Sequence, residues 1–169
     1  MVTLHAEGYR QEDLAKSVES ISNDTQLFSM ATLFAGDQVE PWINTAYFSF
    51  DASFHYYYLS SPQSVHSKNL LTSPLCALSL FNTQQSAENG KQGLQIFGEC
   101  RRAEGKYLKR GLLTYQKRFV GFENTIRIPE DFDKGIIESK LYCVTAHTIK
   151  IFDEQRFGEE TWVEAKVIR

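Results

Sequence analysis

Apolar residues run through this chain in short alternating or continuous stretches that are separated by polar turns, a pattern that predicts strands. Seven strands are predicted, at residues 27–35, 42–50, 54–60, 75–81, 92–103, 141–153 and 162–168. Gly36-Asp37 is predicted as the turn after the first strand, and the gap at residues 51–53 is short enough for a hairpin. The fourth segment, LCALSLF, is apolar on both faces, as expected for a central strand of a closed barrel.

Three segments instead follow the helical period, at residues 11–22, 64–72 and 106–120. The third carries an apolar stripe made of Leu108, Leu112, Tyr115 and Phe119. A doubly wound α/β sheet needs a crossover helix between most of its strands, and that pattern is absent. The sequence therefore predicts a single domain over residues 1–169, a mainly antiparallel β-barrel of six to seven strands with short peripheral helices.

The charge balance narrows the possible partners. The chain has 169 residues, with 18 Lys+Arg against 21 Asp+Glu and a net charge of −3. Without a basic excess it lacks the surface that drives nucleic-acid binding. No apolar run is long enough for a signal peptide or a membrane span, so we expect a cytoplasmic protein without a membrane partner.

Cysteine and histidine spacing gives no sign of a metal site. The cysteines lie far apart in apolar sequence and lack zinc-ligand spacing, which predicts buried free thiols: Cys76, Cys100 and Cys143. Three histidines show no partner spacing and are expected to be structural or exposed: His5, His55 and His147.

The segment at residues 55–81 carries the candidate chemistry. A predicted strand ends at Leu59-Ser60, a turn follows, and Ser64 is a plausible N-cap of the next helix. Serine hydroxyls crowd this turn, with a histidine and a lysine beside them: Ser60, Ser61, Ser64, Ser67, His66 and Lys68. Donors and a cation at a helix N-terminus form an anion site, most commonly for phosphate. Serines also occur in such turns simply as helix caps, so a purely structural role stays open.

The run SVHSKNL at residues 64–70, followed by Ser73-Pro74 and an apolar strand, resembles a signature of the pyridoxamine 5′-phosphate oxidase-like, FMN-binding split-barrel family. In that family the turn reads Ser-Arg-Lys-x-x-Asn-Leu and binds the FMN phosphate. Ser64 and Asn69 match directly, whereas Val65 replaces the arginine and His66 the lysine. The resemblance implies a split β-barrel with FMN as cofactor, and His66 and Lys68 would supply the missing charge.

The resemblance extends to three other strands. Leu59-Ser60 falls where the family has a Tyr-Thr pair that meets the phosphate. WINTAYF resembles the strand whose backbone meets the pyrimidine edge of the flavin, and GLQIFGE resembles a strand with a polar residue before a glycine. Gln95 in the latter would hydrogen-bond the flavin or face solvent, and Trp162 would reach the flavin of a partner subunit. The cofactor-binding residues implied are Asn44, Thr45, Ala46, Leu59, Ser60, Ser64, His66, Ser67, Lys68, Asn69, Gln95 and Trp162.

The function implied by the resemblance is an FMN-dependent oxidoreductase that acts on a small molecule with a nicotinamide electron donor. A homodimer is expected, with the flavin at its interface, because one small barrel offers only a shallow groove. The second strand ends Phe48-Ser49-Phe50-Asp51 and lacks the lysine with which the pyridoxal-forming oxidase holds its substrate, which argues against vitamin B6 oxidation. Two alternatives are a non-catalytic protein that binds FMN, a tetrapyrrole or a deazaflavin, and a barrel with no ligand.

Overall fold

Eight antiparallel strands form one sheet that closes on itself in the computed structural model, which describes residues 2–35, 39–86, 88 and 90–169. The strands are β1 (Thr3–His5), β2 (Leu27–Ala35), β3 (Val39–Phe50), β4 (His55–Ser60), β5 (Leu75–Phe81), β6 (Gln92–Arg102), β7 (Lys140–Asp153) and β8 (Trp162–Ile168). Their order is β1-β8-β7-β4-β3-β2-β5-β6, and a further pairing of β6 with β7 closes the barrel. The predicted mainly β, antiparallel fold is confirmed.

The predicted strands are found with small shifts at their ends, and β1 is an addition. The largest shift is at the start of β3, where the prediction of residue 42 was wrong because the strand runs through Pro41. A proline is tolerated where a strand has a neighbour on one side only, as here. The turn predicted at Gly36-Asp37 lies outside the described residues.

Within the described ranges, four α-helices lie around the sheet: α1 (Gln11–Asp24), α2 (Val65–Thr72), α3 (Gly105–Arg118) and α4 (Glu154–Phe157). The first three were predicted to within two residues at each end, and α4 was not. α1 packs against β1, β5, β6 and β7, α2 against β2, β3 and β6, and α3 against β3, β4 and β7. No helix in the described part of the chain has the length and apolarity that a membrane crossing requires.

Two apolar clusters stabilise the barrel. Tyr56 and Tyr58 point into its interior with Phe28 and Phe48, whereas Tyr57 points outward into a second cluster beneath α3. This division follows the alternation of side chains along β4. The three cysteines are buried and unpaired, as predicted, and burial raises the thiol pKa of Cys76 and of Cys143 to about 12. Because only the thiolate reacts readily, these residues act as core side chains.

The sheet opens between β3 and β4. These strands pair only at Phe48↔Tyr58, Ser49↔Tyr57 and Phe50↔Tyr56. Before that point β3 continues along β2, from Tyr47↔Leu27 to Val39↔Ala35. Beyond it β4 continues along β7 through Leu59↔Leu141 and Ser60↔Lys140. We call the resulting gap, between residues 39–47 of β3 and residues 59–60 of β4, the split.

Candidate functional site

The split brings together the residues that the sequence singled out on two separate strands. Residues 44–46 line its β3 side, and Leu59 and Ser60 line its β4 side. β4 leads through a four-residue turn directly into α2, so the start of α2 lies at the mouth of the split. The backbone of β3 at residues 44–46 pairs with β2 on one side, and in the described structure no strand pairs with its other side.

The turn before α2 gathers three hydroxyl groups. Ser64 is the N-cap, as predicted, and its Oγ accepts a hydrogen bond from the Ser67 N–H at 3.3 Å. The Ser64 Oγ lies 3.3 Å from the Ser60 Oγ and 2.8 Å from the Ser67 Oγ. Among the described residues, the N–H groups of Val65 and His66 have no acceptor, as is usual in the first turn of a helix. The mouth of the split is thus rich in hydrogen-bond donors.

His66 occupies part of this donor cluster. Its Nε2 lies 2.7 Å from the Ser60 Oγ and 3.1 Å from the Ser64 Oγ. Burial lowers the pKa of His66, so the imidazole is neutral near pH 7 and supplies no full charge there. The exposed Lys68 is then the cation of the turn. The groups of this turn that can interact with an anion are therefore chiefly the N–H groups of Val65 and His66, the Ser60 hydroxyl and Lys68.

Ser67 and Asn69 face the protein interior. Both side chains are buried, and the Asn69 Nδ2 donates to the Thr32 Oγ1 at 3.2 Å, which ties α2 to β2. These two predicted binding residues therefore orient the start of α2 and do not line the mouth of the split.

Asn44 carries an unsatisfied acceptor. Its side chain shares a strand face with Ala46 and Phe48, toward the barrel interior. The Asn44 Oδ1 is buried, and no donor in the described part of the chain reaches it. Buried carbonyl groups are nearly always hydrogen-bonded. A ligand donor in the neighbouring split would satisfy this oxygen.

Thr45 faces the opposite side of the sheet and begins a polar row. The register places Thr45, Ser29, Ser79 and Gln95 side by side on β3, β2, β5 and β6. A cavity of about 540 Å³ lies along the first three of these residues. Three strand spacings, about 14 Å, separate Gln95 from Thr45. Gln95 lies on this outer face, away from the split of its own chain.

Trp162 also lies away from the split. Its ring stacks on Phe152 with centroids 4.8 Å apart, and the Lys150 Nζ lies 5.3 Å from the ring centre. β8 is separated from β3 by β7 and β4. A contact between Trp162 and a ligand in the split would therefore require a second chain.

Comparison with solved structures places this arrangement in a known architecture. A heme-binding protein from Mycobacterium smegmatis superposes with a TM-score of 0.68 at 14% identity, covering 94% of this chain and 59% of that one. A protein from Listeria innocua, provisionally assigned as pyridoxamine 5′-phosphate oxidase, gives 0.60 at 15%, covering 82% and 97%. HutZ, the heme storage protein from Vibrio cholerae, gives 0.54 at 15%, covering 78% and 88%.

The chain has the pyridoxamine 5′-phosphate oxidase-like split-barrel fold. No family model matches the sequence, and no curated protein matches it. At such low identity the structural likeness extends to the fold alone. The chain spans 59% of the length of the mycobacterial protein.

A buried polar network in this split barrel was missed by sequence reasoning. The Asp51 carboxylate accepts hydrogen bonds from the His55 Nδ1 at 3.1 Å and the Tyr57 hydroxyl at 3.0 Å, and Arg110 lies 3.5 Å away. Burial by itself would raise the pKa of Asp51, but the hydrogen bonds that the carboxylate accepts from His55 and from two backbone N–H groups lower it to about 2. Asp51 is therefore ionised at neutral pH. The sequence feature that could have indicated this network is an aspartate four residues before a histidine, with the two residues on either side of a predicted hairpin turn.

His55 is structural, as expected, and its tautomer follows from its neighbours. The Arg169 Nη1 lies 3.3 Å from the His55 Nε2. Arginine can only donate, so this Nε2 accepts and the Nδ1 donates to Asp51. The network fixes the β3–β4 turn at the paired end of these strands, opposite the split.

Proposed function

We propose that this chain binds FMN in the split, with the phosphate at the start of α2, and uses it to oxidise or reduce a small molecule. The observation that carries the proposal is the coincidence of three features at one place. The sheet opens beside residues 44–46, two N–H groups without an acceptor in the described residues begin α2 at the mouth of that opening, and the Ser60 and Ser64 hydroxyls lie beside them.

The residues around the split are of the chemical types that could hold FMN. The N–H groups of Val65 and His66, the Ser60 hydroxyl and Lys68 are donors of the type that binds phosphate at a helix N-terminus. The unpaired β3 edge offers backbone groups to the polar edge of a ring, and the buried Asn44 Oδ1 needs a donor. Bound FMN would supply hydride or electron transfer, while the protein orients it and excludes water. A nicotinamide donor is part of the proposal.

We further propose that the functional unit is a homodimer. Large apolar side chains are exposed along the outer face of β2, β3, β5 and β6, including Leu33, Ile43, Tyr47, Leu75 and Phe97. Ile43 is 70% exposed. Contiguous exposed apolar surface commonly marks an interface. A second copy on this face would cover the apolar residues and deepen the split, and it gives Gln95 and Trp162 a route to the partner's flavin.

A second candidate function is non-catalytic binding of FMN or a tetrapyrrole. It is favoured by the weak charge of the turn, where the neutral His66 stands beside a single lysine. Two proteins of similar fold are described as heme-binding or heme-storing.

The visible spectrum of the purified protein separates these functions. FMN, riboflavin and hemin would be titrated into the protein, and NADH or NADPH would then be added to the complex. Tight FMN binding that is weaker for riboflavin, with bleaching by the nicotinamide, supports the oxidoreductase. A yellow complex inert to both donors, or preferential hemin binding, supports the second function. A protein that binds none of the three contradicts both.

The phosphate contact is tested by Ser60→Asp. A carboxylate at the mouth of the split should weaken FMN about tenfold through repulsion of the phosphate and leave riboflavin little changed. Ser20→Asp, on the exposed face of α1, is the matched control and should change neither. Equal loss of FMN and riboflavin in the Ser60 variant would contradict the phosphate assignment.

A further inference from the structure

A second cavity lies at the other end of the β3–β4 hairpin, where the strands are paired. It has a volume of about 560 Å³, within the range of small-molecule sites. Three elements enclose it: α1, the turn between β3 and β4, and the C-terminal turn of α3. Its β3 residues, Ser49 and Phe50, pair with Tyr57 and Tyr56, so the cavity is separate from the split.

The floor of this cavity is apolar. Val18 and Phe54 are buried, and the partly buried Phe50 ring stacks on Tyr56 with centroids 6.0 Å apart and planes 23° apart. Ala15 adds a small side chain on the α1 side. An aromatic floor open to a cavity of this size suits a planar apolar ligand.

The α3 wall carries two cations. The Arg118 Nη2 donates to the carbonyl oxygens of Ser22 at 2.9 Å and Thr25 at 2.5 Å, so the guanidinium is held in place. It lies 4.7 Å from the centre of the Phe48 ring. In the described structure its Nε and Nη1 have no acceptor, and no ion pair includes Arg118 or Lys117. Arginine has five N–H donors, so several remain for a ligand.

The acidic groups of the cavity do not cancel these cations. The Asp51 carboxylate is ionised, but it already has a cationic partner, because the Arg110 Nη1 lies 3.5 Å away. It also accepts hydrogen bonds from His55, Tyr57 and the Ser53 N–H. Glu19 is exposed on the α1 rim. Arg118 and Lys117 therefore face one carboxylate that has no cationic partner in the described structure, that of Glu19, and the unpaired positive charge of the cavity lies on α3.

The hydroxyl groups of Ser49 and Thr114 also line the cavity, and the groups to which they donate hydrogen bonds are defined. The Thr114 hydroxyl donates to the Gly111 carbonyl at 2.9 Å, so the Ser49 hydroxyl, 2.9 Å from the Thr114 Oγ1, is the donor of that pair. Both hydroxyl protons are thus engaged within the protein. The two hydroxyls can only accept hydrogen bonds from a ligand, so an anionic ligand group, which has no proton to donate, would bind at the α3 wall instead.

We propose that this cavity binds an aromatic monocarboxylate of one or two rings, with its ring on Phe50 and its carboxylate toward Arg118 and Lys117. The proposal stands on this cavity alone and does not depend on FMN binding. It predicts a ligand site for a planar organic acid on a face remote from the split.

Isothermal titration with 2-naphthoate, and with its neutral isostere 2-naphthamide, tests the proposal on the full chain. The amide should bind about tenfold more weakly, since it loses the charge-assisted contacts with the α3 wall. Lys117→Met keeps most of the apolar stem and should weaken the naphthoate about threefold, as expected for an exposed ion pair. Lys109→Met, on the same helix outside the cavity, should leave it unchanged.

Ala15→Phe fills the cavity from α1 and should abolish naphthoate binding. Methyl NMR shifts of Ala15, Val18 and Thr114 on addition of naphthoate give a second readout in the unmutated protein. Equal binding of acid and amide, or binding that survives Ala15→Phe, would overturn the proposal, as would an absence of binding. FMN titrations of the same variants should not change, so failure here is distinguishable from failure of the split to bind flavin.

Discussion

Replacing Asp51 by Asn removes one negative charge from a buried network and keeps the size of the side chain. In the folded protein the pKa of this carboxyl is about 2, against an ordinary value of 3.8. Such a difference in pKa corresponds to about 2 kcal/mol of extra stabilisation of the ionised form in the folded state. Arg110, one of the partners, is about half exposed. Water screens part of the interaction, so we expect Asp51→Asn to lose about 1–2 kcal/mol at pH 7.

The pH dependence of this stability loss shows whether the charge of Asp51 is its cause. A carboxyl whose pKa is lowered by folding stabilises the protein above its ordinary pKa, and this contribution disappears as the pH falls from about 4 to about 2. Asp51→Asn has no charge to lose in that window. The difference in stability between the wild type and the variant should therefore shrink steadily between pH 5 and pH 2.

Urea unfolding at several pH values measures this difference directly. Asp133→Asn, at an exposed position outside the network, is the control and should change stability by less than about 0.5 kcal/mol. A deficit for Asp51→Asn of the same size at pH 3 and pH 7 would refute the electrostatic reasoning, because the loss would then come from packing. An unchanged stability at pH 7 would show that the network contributes nothing.

The other predictions concern FMN binding at the candidate site and the stability of the fold around it. Val65→Arg restores the arginine of the family signature on an exposed side chain and should tighten FMN about tenfold by fluorescence titration, whereas Leu71→Arg on the same helix should not. Lowering the pH from 8 through the depressed pKa of His66 charges its imidazole and should tighten FMN in the wild type more than in His66→Gln; equal pH dependence would count against a role for the imidazole. Arg118→Lys loses the geometry of the contacts with Ser22 and Thr25 and should destabilise the fold by about 1–3 kcal/mol in urea. Gly98→Ala places a methyl group in steric overlap with the Thr145 carbonyl oxygen at the bulge in β7, and should lower stability by about 3 kcal/mol. A loss below about 1 kcal/mol would show that the bulge relaxes.

The strands of the barrel could be read from the sequence because each is a run whose apolar pattern does not depend on its neighbours. β1 could not, since its three residues become a strand only through pairing with β8. The same distinction holds for individual side chains. Ser64 was recognisable as an N-cap from local sequence, whereas the contact of Arg118 with Ser22 joins residues 96 positions apart. Contacts of that kind depend on how α1 and α3 pack, which no local pattern specifies.

The charges at the mouth of the split show why the identity of the residues there does not by itself determine the affinity for FMN. The sequence offers His66 and Lys68 in place of an arginine and a lysine, which suggests two cations. Burial lowers the pKa of His66 and hydrogen bonds hold its Nε2 against Ser60 and Ser64, so one of the two is neutral near pH 7. An incoming phosphate must also compete with the imidazole for the Ser60 hydroxyl, since the Ser64 hydroxyl donates to the Ser61 carbonyl oxygen. If the split binds FMN as proposed, the affinity should consequently depend more on the ring and the open edge of β3 than on the phosphate, and the ratio of FMN to riboflavin affinity measures that balance.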